Sequence, residues 1–275
     1  MPELPETETI ARDLDREIKG RRVVSVVVEK GDVLRELNPA ELSTRIIGHR
    51  IDHVWRRAKL VVLDLSSGDR MVVQPRFTGA LLIDSGDLPD RERQYSCLHL
   101  TLDDGRLLHY RDIRRLGTVA LMTPERFAAY TASLGVEPLD SSFSPAVLSG
   151  ILRASRQAVK KVLMDQRVLA GMGNIYANEA LWRAGIDPSR DSKRISPGEA
   201  ESLHEAITSV LRESIALRGT SFRDYVDASG AKGGFVSQLA VYGREGLPCP
   251  RCGARLVGTH AIDGRSTVLC ASCQR

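Results

Sequence analysis

Long apolar runs are missing from this 275-residue chain: no stretch of 18 or more hydrophobic residues occurs. That excludes a membrane-spanning helix. A basic segment followed by an apolar one is missing from the start, where MPELPETETI carries acids instead. A secretory signal is therefore not expected, and the reading is a cytoplasmic protein. Internal repeats are absent as well. Cysteine is scarce until the end: Cys97 stands alone in YSCLHLTL, where it reads as a buried strand residue. Lysine is scarce throughout, with seven among 39 basic residues. Arginine, whose planar fork donates two parallel hydrogen bonds, suits phosphate, although codon bias in a GC-rich genome accounts for the excess equally well. In such a chain an isolated lysine is worth locating.

What is present is ordinary in bulk and informative in pattern. Hydrophobic residues make up 42% and charged residues 27%, which excludes a mainly disordered chain, a collagen and a coiled coil. The length suggests roughly two domains, since single cores rarely grow past about 250 residues. The net charge of +4 does not by itself imply a nucleic-acid partner.

Four cysteines lie in the last 27 residues. Cys249 and Cys252 form one CxxC, Cys270 and Cys273 another, with 17 residues between them. In a cytosolic chain this spacing reads as one tetrahedral zinc site, and four thiolates leave no open position for water, so the metal is structural. Two disulfides would need an oxidising compartment. The intervening ARLVGTHAIDGRSTVL reads as two short strands around a turn at Asp263–Gly264.

Upstream, Ile10, Leu14 and Ile18 recur at helical spacing and Gly20 stops the run. Glu3, Glu6 and Glu8 load the helix start with acid, as the helix dipole favours. From Arg22 to about Met122 the texture is β: RVVSVVVE, LVVLDL, MVVQ, GALLI, CLHLTL and RLLHY, with turns at SSGD and DDGR. Strands at this spacing argue a β-sandwich or flattened barrel. PERFAAY is a short helix opened by Pro124, and 133–144 reads as a linker. The pattern is then helical to about Leu217, with Ser196 and Pro197 starting a helix over 197–217. Within it, AGMGNIYANEAL places a tight glycine turn before a helix N-terminus, a geometry that can present amides to a phosphate. The glycine-rich stretch 218–240 reads as a mobile loop.

These motifs together resemble bacterial formamidopyrimidine-DNA glycosylase, in the family shared with endonuclease VIII. The resemblance runs nearly end to end, through PELPE (2–6), RRAK (56–59), RDIRRLG (111–117), LMDQRVLAGMGNIYANEALWRAGIDP (163–188), GTS (219–221), VYGREG (241–246) and the CxxC pair with GRS (264–266). It implies an α+β fold: an N-terminal helix plus β-sandwich domain over 1–132, a linker over 133–144, a helix–two-turn–helix domain with a lesion-recognition loop over 145–240, and a zinc-finger β-hairpin over 241–275. Damaged duplex DNA would lie in the cleft between the domains of a monomer, which would place the protein at the nucleoid.

The implied activity is a bifunctional glycosylase and abasic-site lyase of base-excision repair, acting on oxidised purines such as 8-oxoguanine and formamidopyrimidines. Removal of Met1 would expose the secondary amine of Pro2 as nucleophile. A free α-amino group titrates near about 7.7–8 and is partly neutral at physiological pH. Glu3 would be the general acid/base. Lys59, the only lysine between residues 31 and 159, would contact phosphate and assist elimination. Glu6, one turn from Glu3, would help hold the N-terminus. Phe77, Arg114 and Leu116 would fill the gap left by an extruded base, with Arg114 on the orphaned partner. Arg115, Asn174 and Arg265 would grip phosphates, and Gly219, Thr220 and Ser221 would close over the extruded base. Zinc would sit on Cys249, Cys252, Cys270 and Cys273. The family more usually has Met at 77 and Phe at 116, and its KHDH-like stretch reads QYSC here. The alternatives are an endonuclease-VIII-like enzyme for oxidised pyrimidines, a lesion-binding protein without catalysis, and an unrelated zinc-ribbon module.

Overall fold

The computed structural model describes residues 2–275. The chain divides into two compact units, 1–133 with 217–236, and 134–216 with 237–275.

The first unit opens with α1 (Leu4–Ile18). Its apolar stripe of Ile10, Leu14 and Ile18 is fully buried, as the spacing predicts. Its start is a reciprocal capping box in which Glu3 and Glu6 serve each other's end of the first turn. Behind α1 follow β1 (Val23–Val28), α2 (Pro39–Ile46), β2 (Ile51–Arg57), β3 (Leu60–Leu65), β4 (Arg70–Gln74), β5 (Gly79–Asp84), α3 (Asp90–Arg93), β6 (Ser96–Leu102), β7 (Leu107–Asp112), β8 (Thr118–Met122) and α4 (Pro124–Thr131). The strands form two four-stranded sheets, β1-β6-β7-β5 and β2-β3-β4-β8, with every pairing antiparallel. Inward residues of both, among them Leu63, Val73, Leu98, Leu100 and Tyr110, share one core with α1 and α2. This is the sandwich the β texture implies. Cys97 is buried in β6, and burial pushes its thiol up to about 11.

The segment 217–236 departs from expectation. Much of it is buried: Tyr225 and Ala228 join the sandwich core, Val226 packs with Ala80, Leu82 and Leu88, and Phe235 is enclosed. The Ile83 amide donates to the Ala228 carbonyl at 2.9 Å, which adds the segment to the edge of β5. A glycine-rich composition reads as mobility, but here the glycines allow close backbone approach. A Cβ on Gly219 would come within 2.9 Å of the Tyr225 ring and 3.1 Å of Glu6.

The second unit holds α5 (Pro145–Arg153), α6 (Val159–Met164), α7 (Asn174–Ala184) and α8 (Pro197–Ala216), then the hairpin β9 (Val257–Thr259) and β10 (Thr267–Leu269). Ser196 and Glu199 cap α8 reciprocally. Residues 133–144 are not a free tether, because the Gly135 and Val136 amides bond to the carbonyls of Gln166 and Val168. The unit turns on Glu179, fully buried in α7. Its carboxylate accepts the amides of Ala240, Val241 and Tyr242 at 2.8–2.9 Å and so fixes the chain entering the finger. Leaving those buried amides unpaired costs about 1–3 kcal/mol each. Glu179→Ala should therefore lower stability by about 3 kcal/mol or more, read as a fall in the denaturation midpoint. An unchanged midpoint would show that the amides find other partners.

Candidate DNA-repair site

Pro2 and Glu3 are both buried at the head of α1. The local structure follows from Glu6. One of its oxygens accepts the Glu3 amide at 2.7 Å, and the other accepts the Thr220 amide at 2.9 Å. One carboxylate thus holds the backbone next to Pro2 and the 219–221 segment together. That brings Pro2, Glu3, Gly219, Thr220 and Ser221 into one neighbourhood.

Lys59 sits in the two-residue turn between β2 and β3, where Arg57 pairs with Leu60. Such tight hairpin turns need a positive φ, and Ala58 supplies it at 53°. The turn is tied to α1. The Ala58 carbonyl accepts from the Thr7 hydroxyl at 3.4 Å and from Arg56 at 3.0 Å, and Arg56 donates to Glu8 at 2.8 Å. Burial raises the Glu8 carboxyl, but Arg56 and Arg12 outweigh it and hold it below the usual range. Glu8 is therefore more than a dipole-favoured acid at a helix start. With Thr7 and Arg56, it sets where Lys59 stands.

Phe77 and Leu116 lie on two further turns of the same unit. They are 46% and 39% exposed, so they are not core residues. Arg114 lays its guanidinium over the Phe77 ring, 5.3 Å from the centroid. Buried Asp112 joins the two turns. It accepts from the Thr78 and Tyr110 hydroxyls and from the amides of Arg114 and Gly117. Gly117 is obligatory, because any Cβ there would collide with the Tyr110 hydroxyl and the Gln74 carbonyl. Arg115 extends from the same turn and pairs with Asp32 at 2.9 Å, both half-exposed. Sequence reasoning missed Asp112, although a lone acid among three arginines in RDIRRLG was its available signal.

In the second unit Asn174 opens α7, and its side-chain amide donates to the Ser266 carbonyl at 2.9 Å. Lys160, fully buried, donates to the same carbonyl at 3.1 Å and to the Thr267 hydroxyl at 2.7 Å. A buried ammonium is costly unless hydrogen-bonded. Here it fastens the turn that leaves Arg265 exposed. Lys160 was not singled out from sequence, where its one signal is membership of an isolated lysine pair.

The sulfurs of Cys249, Cys252, Cys270 and Cys273 lie within 4.8 Å of one another. A tetrahedral zinc with Zn–S bonds of about 2.3 Å sets sulfurs about 3.8 Å apart. The observed spacings are 4.0 Å for Cys249–Cys273 and 3.5 Å for Cys252–Cys270. Burial works against ionising Cys249, but amides of Arg251 and Cys252 help bring it down to about 6. Cys273, hydrogen-bonded to Cys252 and crowded by the other sulfurs, is pushed up to about 12. Four sulfurs at this spacing form a donor set that fits one structural zinc ion.

Family comparisons agree with this architecture. Residues 1–119 match the formamidopyrimidine-DNA glycosylase N-terminal domain, 134–226 the formamidopyrimidine-DNA glycosylase H2TH domain, and 246–275 the zinc finger found in FPG and IleRS. The formamidopyrimidine-DNA glycosylase of Desulforamulus reducens is 40% identical over 279 residues, covering 100% of this chain and 99% of that protein. That of Stenotrophomonas maltophilia strain R551-3 is 41% identical over 276 residues, with both chains fully covered. Among solved structures, a complex of Lactococcus lactis Fpg with abasic-site DNA superposes with a TM-score of 0.91 at 30% identity, covering 99% of each chain. The MutM (Fpg) protein of Thermus thermophilus gives 0.86 at 34% identity, covering 99% of this chain and 98% of that one. Fold and site together define a DNA glycosylase of base-excision repair. The chain belongs to the formamidopyrimidine-DNA glycosylase family.

The zinc geometry yields a direct expectation. Cys249→Ser should lose stoichiometric zinc, measured by atomic absorption, and weaken binding to lesion-containing duplex. Retained zinc would contradict a four-thiolate site.

Proposed function

We propose that this protein removes oxidised purines, 8-oxoguanine and formamidopyrimidines, from duplex DNA and then cuts the strand at the resulting site. The observation that carries the reading is the burial of Pro2 beside Glu3, with the Glu3 amide held by Glu6 and the Lys59 turn tied to the same helix.

With Met1 removed, the Pro2 nitrogen is a secondary amine. It attacks C1′ of the damaged nucleotide, the C1′–N bond breaks, and the base leaves with its electron pair and takes up a proton. Glu3 moves protons at the sugar as ring opening produces the iminium. The iminium acidifies C2′–H. Loss of that proton expels the 3′ phosphate, and a second elimination expels the 5′ phosphate. Lys59 holds phosphate and assists these steps. Water then releases Pro2.

Extruding a base costs a few kcal/mol of stacking and pairing. Phe77 and Leu116, already exposed on braced turns, occupy the gap, and Arg114 hydrogen-bonds the orphaned base. Gly219, Thr220 and Ser221 close over the extruded base. Arg115, Asn174 and Arg265 bind phosphates, which position the duplex without reading sequence. For Arg115 that means exchanging Asp32 for a phosphate. The finger's zinc supplies no reaction step; Cys249, Cys252, Cys270 and Cys273 use it to hold the turn bearing Arg265.

Borohydride trapping tests this reading. Incubation with an 8-oxoguanine duplex should give a covalent protein–DNA adduct at Pro2. Binding without an adduct would reduce the protein to a lesion-binding module. Glu3→Gln should slow base release by about a hundredfold or more, while still forming an adduct on duplex that already carries an abasic site. Base release at the parental rate would remove Glu3 from the chemistry. A duplex panel that also includes thymine glycol identifies the lesion. Faster release of thymine glycol than of 8-oxoguanine would overturn the purine assignment.

A further inference from the structure

Arg218 adopts φ 64°, a left-handed backbone conformation that disfavours every residue with a Cβ. Such outliers persist where surrounding contacts over-determine them. Those contacts are on two sides. The Arg218 guanidinium donates to buried Asp13 on α1 and, through Nε at 2.8 Å, to Asp227, whose side chain is fully buried. Asp227 in turn accepts the Ser229 and Ala231 amides and the Ser229 hydroxyl, so it organises the far end of the same loop. Burial raises the Asp227 carboxyl, but Ser229, Arg218 and the Ala231 amide outweigh it and hold it below its ordinary range. The Arg218 carbonyl accepts from the Tyr225 hydroxyl at 3.1 Å. Two residues on, the Thr220 amide reaches Glu6. Asp13 and Glu6 are seven residues apart, two helical turns on one face of α1. Residues 218–220 are therefore bolted to α1 at two points on one face.

We propose that Arg218 is a positioning residue: by pairing with Asp13 it fixes residues 218–220 against α1, so that the 219–221 backbone is in place before a damaged nucleotide arrives. The inference rests on the reading above of 219–221 as the segment that closes over the extruded base. Arg218 touches no reacting atom. It acts through the loop, and its benefit is confined to substrates that carry a base for the loop to hold.

Arg218→Gly separates the clamp from mere stability, because glycine removes the backbone strain together with the ion pair. The variant should raise KM for 8-oxoguanine duplex about fivefold or more while scission of a preformed abasic duplex stays within about twofold. Asp13→Asn should show the same selective defect, and the double variant should be no worse than either single one. Trypsin should cut after Arg223, at the exposed loop tip, about fivefold faster in Arg218→Gly than in the parent. Parental kinetics on both duplexes would overturn the proposal. So would equal losses on both duplexes with a lowered midpoint, or losses that multiply in the double variant. If the parent protein forms no borohydride adduct, the functional reading is at fault. The clamp is then judged by the tryptic rate alone, and an unchanged rate sinks it.

Discussion

The Glu6 carboxylate is the constraint from which the first unit's site follows. It has two oxygens and two backbone amides to serve, Glu3 on one side and Thr220 on the other. Charge-assisted hydrogen bonds of this kind are short and directional. They set the peptide adjoining Pro2 and the peptide of a loop more than 200 residues away in a common frame. Neither is left to the end of a long side chain. A residue so near a chain terminus would otherwise carry the conformational freedom typical of chain ends, and the proposed role of Pro2 demands placement within a fraction of an ångström. Capping α1 and fixing the backbone beside Pro2 are one and the same arrangement.

The second unit solves a similar problem around one carbonyl. The Ser266 oxygen receives the Lys160 ammonium and the Asn174 amide, while Asn178 takes the Val268 amide through its own side-chain oxygen. The finger is too small to bury a sufficient core of its own. Its sulfurs bind zinc, and its turn is held by α6 and α7 rather than by its own strands. Lysine poverty makes the placement of Lys160 informative: one of seven lysines in the chain is spent wholly inside the protein.

Sequence legibility follows pattern strength. The apolar stripe of α1, the valine-rich strands, the turns at SSGD and DDGR and the cysteine pairs are all readable, because each is a local periodicity or a fixed spacing. β2 is not, because IDHVWRR carries two arginines, an aspartate and a histidine, and its strand state comes from pairing with β3. α2 escapes notice although Asn38, Pro39 and Glu41 form a full capping box, since eight residues give too little apolar period. The site residues are legible mainly through family resemblance. Their supports are not, since Asp112, Thr7 and Lys160 act through partners distant in the chain. The loop 217–236 misleads because composition reports what glycine allows and not what the neighbours impose. Of the five described non-glycine residues with positive φ, Ala58, Arg76, Arg115 and Arg218 adjoin Lys59, Phe77, Leu116 and Gly219. Backbone strain thus falls beside four of the residues proposed for the site.

The β2–β3 hairpin has a consequence for how such a protein can change over time. Its turn is two residues long, and the first of them offers its carbonyl to α1. Swapping a side chain there alters chemistry at one point. Inserting a single residue would flip the alternation of the strand beyond and pull the turn that carries Lys59 out of its register with α1. The turns bearing Phe77 and Leu116 are braced from beneath by Asp112 and leave their apolar tips in solvent, so those tips can trade aromatic for aliphatic without disturbing the brace. Drift in this architecture is free in identity at the tips and forbidden in length at the hairpin.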